Sequence, residues 1–168
     1  MKVAVTACVV LSLALPAAFA FADNQPGTSS AVTAAFQGVT KQHYTVYVLP
    51  SGMGVTGPDK AHHDMIAPSD FVLRAGVPVT LTIVNFDDGN HTMTSPALGL
   101  NIMIKAGIDE PDGSIKPVTT TMTFTPKKAG QYRWNCMVMC DGPSHWAMSA
   151  GFDGPGQDGF MAGWFIVL

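Results

Sequence analysis

From residue 41 to residue 168 the chain is broken into short runs of strand-forming residues by Gly and Pro clusters. No window in it sustains an apolar repeat with a period of about 3.6 residues. That pattern predicts an all-β fold. Gln42 to Leu49 (QHYTVYVL) runs up to Pro50, Val77 to Phe86 is rich in Val, Thr and Ile, and Val118 to Thr125 alternates in polarity. Gln131 to Cys136 carries Tyr132 and Trp134, and Phe160 to Leu168 closes the chain. Gly and Pro fall between them at 50–58, 87–90, 107–117 and 150–159. Strands spaced in this way suit an antiparallel Greek-key β-sandwich, a single domain over 41–168.

Two segments of different character precede this domain. Lys2 gives a positive start, Val3 to Leu15 is apolar, and Pro16 ends the run. Ala18-Phe19-Ala20 and Ala20-Phe21-Ala22 then offer small-residue cleavage sites. Residues 1–22 read as a signal peptide cut before Asp23, which places the mature chain in the periplasm or another extracytoplasmic space. Only if that segment were retained would it be long enough to hold the protein to a membrane. Residues 23–40 form a polar leader. Cleavage removes Cys8 and leaves two cysteines, Cys136 and Cys140.

Composition excludes several functions. With 47% hydrophobic residues, 12% charged and a net charge of −3, the chain can bury enough surface to order itself. Nine Lys and Arg against twelve Asp and Glu provide no basic stripe, so nucleic acid is not an expected partner. The sequence has no Ser/His/Asp constellation, no phosphate-cradling Gly loop and no paired catalytic carboxylates, which argues against an independent enzyme. Ten Met and five His among so few charges are unusual, because Met is both a core filler and a soft ligand for copper.

The chemistry concentrates in Tyr132 to His145 (YRWNCMVMCDGPSH). A Cys-x3-Cys pair in an exported protein is by default a disulfide. A bridge over so short a loop, however, would constrain the unfolded chain little. Two thiolates at one strand-to-loop corner can instead converge on a soft metal, with His145 adding an imidazole five residues after Cys140. On ligand types alone, copper and zinc are both admitted.

Gly130 to Cys136 (GQYRWNC) resembles the strand that delivers the metal cysteine in cupredoxins. In the dinuclear purple copper (CuA) domains of cytochrome oxidase subunit II and nitrous oxide reductase, that strand runs into Cys-x3-Cys followed by Gly, His and Met. Cys136 and Cys140 match the two bridging thiolates. His91 to Asn101 (HTMTSPALGLN) resembles the oxidase segment in which a ligand His precedes Pro-Ser-Leu-Gly-Leu by the same interval. The resemblance covers roughly residues 65–168. It implies a cupredoxin sandwich with His91, Cys136, Cys140 and His145 as copper ligands.

The chain departs from that pattern in three places. Four residues separate Cys140 from His145 where the oxidase has three. Val138 stands where the oxidase has Glu, but the resemblance implies a backbone carbonyl ligand there, so Val138 stays in the set. Met148 has the oxidase spacing from His145, whereas Met161-Ala162-Gly163 looks like the final Met-x-Gly strand of cupredoxins. Met161 is the preferred ligand, because sheet pairing would hold a residue entering the last strand.

The resemblance implies one-electron transfer through a centre of two copper ions, with a cytochrome or an oxidase-type protein as redox partner. Two alternatives stand beside it. One is a mononuclear cupredoxin using the Cys140-x4-His145 spacing. The other is a periplasmic copper chaperone or storage protein, with His62, His63 and Met65 as accessory copper ligands near Met53, Met93, Met137 and Met139. Adjacent His62 and His63 otherwise read as solvated surface, and His43 reads as structural.

Overall fold

The computed structural model describes residues 37–56, 60–138 and 161–168. Along Val79–Asn85 every second side chain is buried, and the same holds along Leu100–Ile104 and Phe71–Leu73. A strand buries one face in this way because its side chains alternate sides. The elements in chain order are β1 Gln42–Leu49, β2 Val55–Thr56, β3 His62–His63, β4 Met65–Ala67, β5 Phe71–Leu73, β6 Val79–Asn85, β7 His91–Ser95, a 3-10 turn at Pro96–Leu98, β8 Leu100–Ile104, β9 Ile108–Asp109, β10 Ile115–Lys116, β11 Val118–Phe124, β12 Gly130–Asn135 and β13 Ala162–Val167.

They form two main sheets, β11-β6-β1-β4 and β5-β13-β12-β7-β8, with small ladders β2-β3 and β9-β10. One core fills the space between the sheets. Val46, Ile66, Leu81 and Ile83 come from the first, and Phe71, Met93, Ile102, Trp134 and Phe165 from the second. Phe165 stacks on Phe71 with centroids 5.3 Å apart, and Phe71 meets the edge of Tyr44 at the same separation. Each such fully buried side chain stabilises the fold by about 1.5–3 kcal/mol relative to leaving it exposed.

The all-β sandwich expected from the sequence is what the chain forms, although its sheets are mixed rather than wholly antiparallel. β1 runs parallel to β6 from Gln42↔Val79 to Val48↔Asn85, and β13 runs parallel to β5. Neither pair is consecutive in the chain, so no hairpin forces an antiparallel match. Strand limits also move inward. Cys136 lies just past β12 and Met161 just ahead of β13. The Gly-rich stretch 107–117 contains the β9-β10 hairpin, and the His91 to Asn101 motif supplies all of β7 and the start of β8.

Close approach of backbones fixes the sheet around Trp134. Its indole Nε1–H donates to the Ser69 carbonyl at 2.8 Å, and its cross-strand partner is Gly163. A Cβ on Gly163 would sit 2.1 Å from the Ser69 oxygen, so only glycine fits. The pairings Asn135↔Ala162 and Asn135↔Thr94 set the C-terminal end of β12 beside the start of β13 and beside β7, and Cys136, one residue further on, meets Thr92 nearer the start of β7. No helix among the described residues is long and apolar enough to cross a membrane.

Candidate metal centre

Cys136 is fully buried, and three strands hold it. Its backbone N–H donates to the Met161 carbonyl at 2.9 Å, which ties it to the start of β13. Its Sγ accepts the backbone N–H of Thr92, from β7, at 3.3 Å. The Thr92 hydroxyl lies 4.0 Å from the same sulfur and accepts the Met137 N–H at 2.7 Å. The Val138 carbonyl oxygen is 3.8 Å from Sγ. Thr92 thus fixes the position of the sulfur through its backbone and faces it with its side chain.

His91 opens β7 and is fully buried beside this sulfur. Its Nε2 is 2.9 Å from Asp87 Oδ2, and the same oxygen accepts the Gly89 N–H at 2.8 Å. Asn85 braces the turn: its amide donates to the carbonyls of Gly89 and Lys105, each at 2.9 Å, and its Oδ1 accepts the Asp87 N–H. A Cβ on Gly89 would lie 2.7 Å from Asp87 Oδ2, so any larger residue there would displace that carboxylate or open the turn. Asp64, at the junction of β3 and β4, joins the pair. One ligand-type atom from each of Asp64, Asp87 and His91 lies within 4.8 Å of the others, and all three residues are buried.

The remaining ring atom, His91 Nδ1, is buried and has no hydrogen-bond partner among the described residues. Such an atom is rare in a folded interior and needs a reason. A metal ligand is one: Asp87 holds one ring nitrogen and leaves the other to coordinate, the usual carboxylate–histidine–metal order. Burial pushes the imidazolium pKa down, but the hydrogen bond to Asp87 and the nearness of Cys136 outweigh it and raise the value to about 9. The hydrogen bond from His91 holds the Asp87 carboxyl below its usual range against the opposing effect of burial. The residues present therefore fit a soft, cationic metal.

The structure brings His91, Cys136, the Val138 carbonyl and Met161 to one end of the sheet. Met161 is fully buried and Val138 packs against the core. Cys140, His145, Met148 and Trp146 lie outside the described residues, as do the signal peptide and most of the leader. His62 is exposed, but His63, expected at the surface, is buried, because pairing with Val55 in the β2-β3 ladder turns it inward. Met65 is half-buried in β4. Met93 belongs to the core, while Met53 and Met137 are exposed on separate loops. His43 is exposed, with a ring nitrogen 2.8 Å from Thr82 Oγ1. Sequence reasoning did not single out Asp87 and took Asp64 only as part of the His62 to Met65 stretch. An acid four residues ahead of His91, within an Asp-x-Gly turn, was the signal for Asp87.

No protein-family model and no curated protein matches the chain. Among solved structures it is similar to the blue copper oxidase of Nitrosomonas europaea, with 16% identity and a TM-score of 0.49 over 76% of this chain; it spans only 38% of that protein. It is similar to the periplasmic domain of cytochrome oxidase subunit II of Bradyrhizobium japonicum, with 16% identity and a TM-score of 0.42 over 74% of this chain and 83% of that one. It is also similar to rusticyanin of Thiobacillus ferrooxidans, with 18% identity and a TM-score of 0.41 over 84% of this chain and 94% of that one.

Proposed function

We propose that the mature chain is an exported copper protein that carries single electrons through a CuA-like centre. The observation that carries this reading is the buried Nδ1 of His91, which has no hydrogen-bond partner of good geometry among the described residues and lies close to the buried Cys136 sulfur. His91 Nδ1, Cys136 Sγ and the Val138 carbonyl would hold the metal together with Cys140, His145 and Met161, Met148 being the other candidate thioether. Copper bound there supplies a one-electron couple.

The chain's own part is to keep these donors in place in both oxidation states. Thr92 fixes the sulfur, Asp87 fixes the imidazole, and paired strands fix the backbone beneath Cys136 and Met161. Rigid donors leave little to reorganise when an electron arrives. The soft thiolate and imidazole also select copper over hard cations. A cytochrome or oxidase-type protein would be the redox partner, and the carrier would catalyse no reaction of its own.

The test is to express the full chain for export, load it with copper and measure stoichiometry, visible absorption and paramagnetic resonance. Two coppers per chain, intense colour, a seven-line hyperfine pattern and an N-terminus at Asp23 are expected. A four-line pattern with one copper replaces the dinuclear centre by a mononuclear one. Protein that stays colourless under oxidising conditions, or that retains only zinc, overturns electron transfer.

A further inference from the structure

At the turn that feeds β7, two buried carboxylates lie beside one imidazole. Asp87 comes from the turn itself, and Asp64 arrives from a segment 27 residues before His91 in the chain. Burying two carboxylates in a sandwich of low charge is costly unless they act on a positive group. Their geometry makes a separate cation site less apt than a hydrogen bond. Asp87 Oδ2 already takes two donors, the Gly89 N–H at 2.8 Å and His91 Nε2 at 2.9 Å, and Asn85 and Gly89 shape the turn to allow both.

Resting on the copper reading above, we propose that Asp87 and Asp64 are positioning residues for His91. Asp87 holds the proton on Nε2 and sets the ring plane so that Nδ1 faces Cys136. The two carboxylates together favour the oxidised, more positive state of the centre over the reduced one. The direction follows from electrostatics: a negative charge in a poorly screened interior stabilises the state of higher positive charge nearby. Changes to such outer partners alter metal affinity by about 10- to 100-fold. Because Asp64 belongs to the β3–β4 segment, the stretch His62 to Met65 contributes to the centre through its buried acid rather than through its exposed histidine.

The experiment is redox titration of the copper-loaded full chain as wild type, Asp87→Asn and Asp64→Asn, with Asp87→Glu as the charge-keeping control. Both amide variants are expected to titrate at higher potential. For Asp87→Asn, a tenfold change in the ratio of oxidised- to reduced-state affinity equals about 59 mV for one electron. Asp87→Glu is expected to recover most of that shift. A second readout needs no oxidised copper: ¹⁵N NMR of the copper(I) protein and of the metal-free protein should show a slowly exchanging His91 Nε2–H, lost in Asp87→Ala. Unchanged potentials in folded, copper-loaded amide variants overturn the electrostatic role, and an Nε2–H that survives Asp87→Ala overturns the orienting role. A divalent ion bound by Cys136→Ser protein only while both acids are present overturns both in favour of a separate metal site. If the wild type takes up no copper, the electron-transfer reading fails by itself, and Nε2–H exchange in the metal-free protein still decides whether Asp87 orients the ring.

Discussion

The two ends of β7 and β12 treat their polar groups in opposite ways. At the end where β7 stops, a cleft of about 270 Å³ is lined by Leu98, Pro126, Lys127, Lys128 and Tyr132. Both lysines there are exposed, and the Tyr132 hydroxyl donates to the Lys128 carbonyl at 2.9 Å at the surface. At the end where β7 starts, Asp64, Asp87, His91 and Cys136 are all buried, and among the described residues the one buried side-chain polar atom without a hydrogen-bond partner is His91 Nδ1. A hollow is thus present at the end without the candidate chemistry. A metal needs converging donors that water does not reach, and space alone provides neither.

The largest effect should come from the sulfur. Cys136→Ser is expected to abolish the copper-dependent colour, since oxygen replaces the thiolate, while Lys127→Ala with Lys128→Ala leaves the spectrum of the loaded protein unchanged. Absorption spectra of the two variants side by side test the contrast. Colour retained by Cys136→Ser would break it.

Acidity gives the next effect. The folded-state pKa of His91 is about 9, above the ordinary 6.5, so its charged form stabilises the metal-free fold. That contribution is full below pH 6.5 and is lost as pH rises through about 9. The shift corresponds to an upper bound on the order of 3 kcal/mol. Urea unfolding of metal-free protein from pH 6 to pH 10 should show stability falling across this window. Copper bound at Nδ1, as proposed, would keep the ring from taking up that proton, and the slope should vanish in the loaded protein. A metal-free slope that persists in His91→Gln would assign it to another group.

Next is Gly89→Ala. The added methyl meets Asp87 Oδ2 at 2.7 Å, so the carboxylate must leave His91 or the turn must open. Copper affinity is expected to fall by about 10- to 100-fold, as when an outer partner is removed. Competition against a copper chelator measures it. An affinity equal to wild type would mean that the carboxylate turn does not support the centre.

The same contrast explains what could be read from sequence. β1 was legible to its last residue because Pro50 stops an alternating run, and β11 was legible because its polarity alternates. β7 and β8 were seen only as a motif, since each is five residues long and a Pro-Ala-Leu-Gly turn separates them. The parallel pairs β1-β6 and β5-β13 join strands distant in the chain, which local pattern does not encode. At the centre, residue type and spacing singled out Cys136, and the resemblance to cupredoxins singled out His91 and Met161. Asp87 looked like turn punctuation and His63 like surface, because burial depends on which strand covers them, and that is decided by the tertiary fold.

The smallest effect belongs to the far end and guards against overvaluing the other. Tyr132→Phe removes a hydrogen bond whose partner, the Lys128 carbonyl, can turn to water at once. A typical bond contributes about 0.5–1.5 kcal/mol, and an exposed one falls at or below the lower figure. The ring itself keeps its place over Gly130, where φ is +153° and an added Cβ would lie 3.3 Å from the tyrosine ring. Tyr132→Phe should therefore unfold within about 0.5 kcal/mol of wild type in urea, with copper content and reduction potential unchanged. A larger loss, or any change in potential, would mean that the sheet transmits strain from one end to the other. The rigidity credited to the paired strands beneath Cys136 would then have to be shared with the cleft.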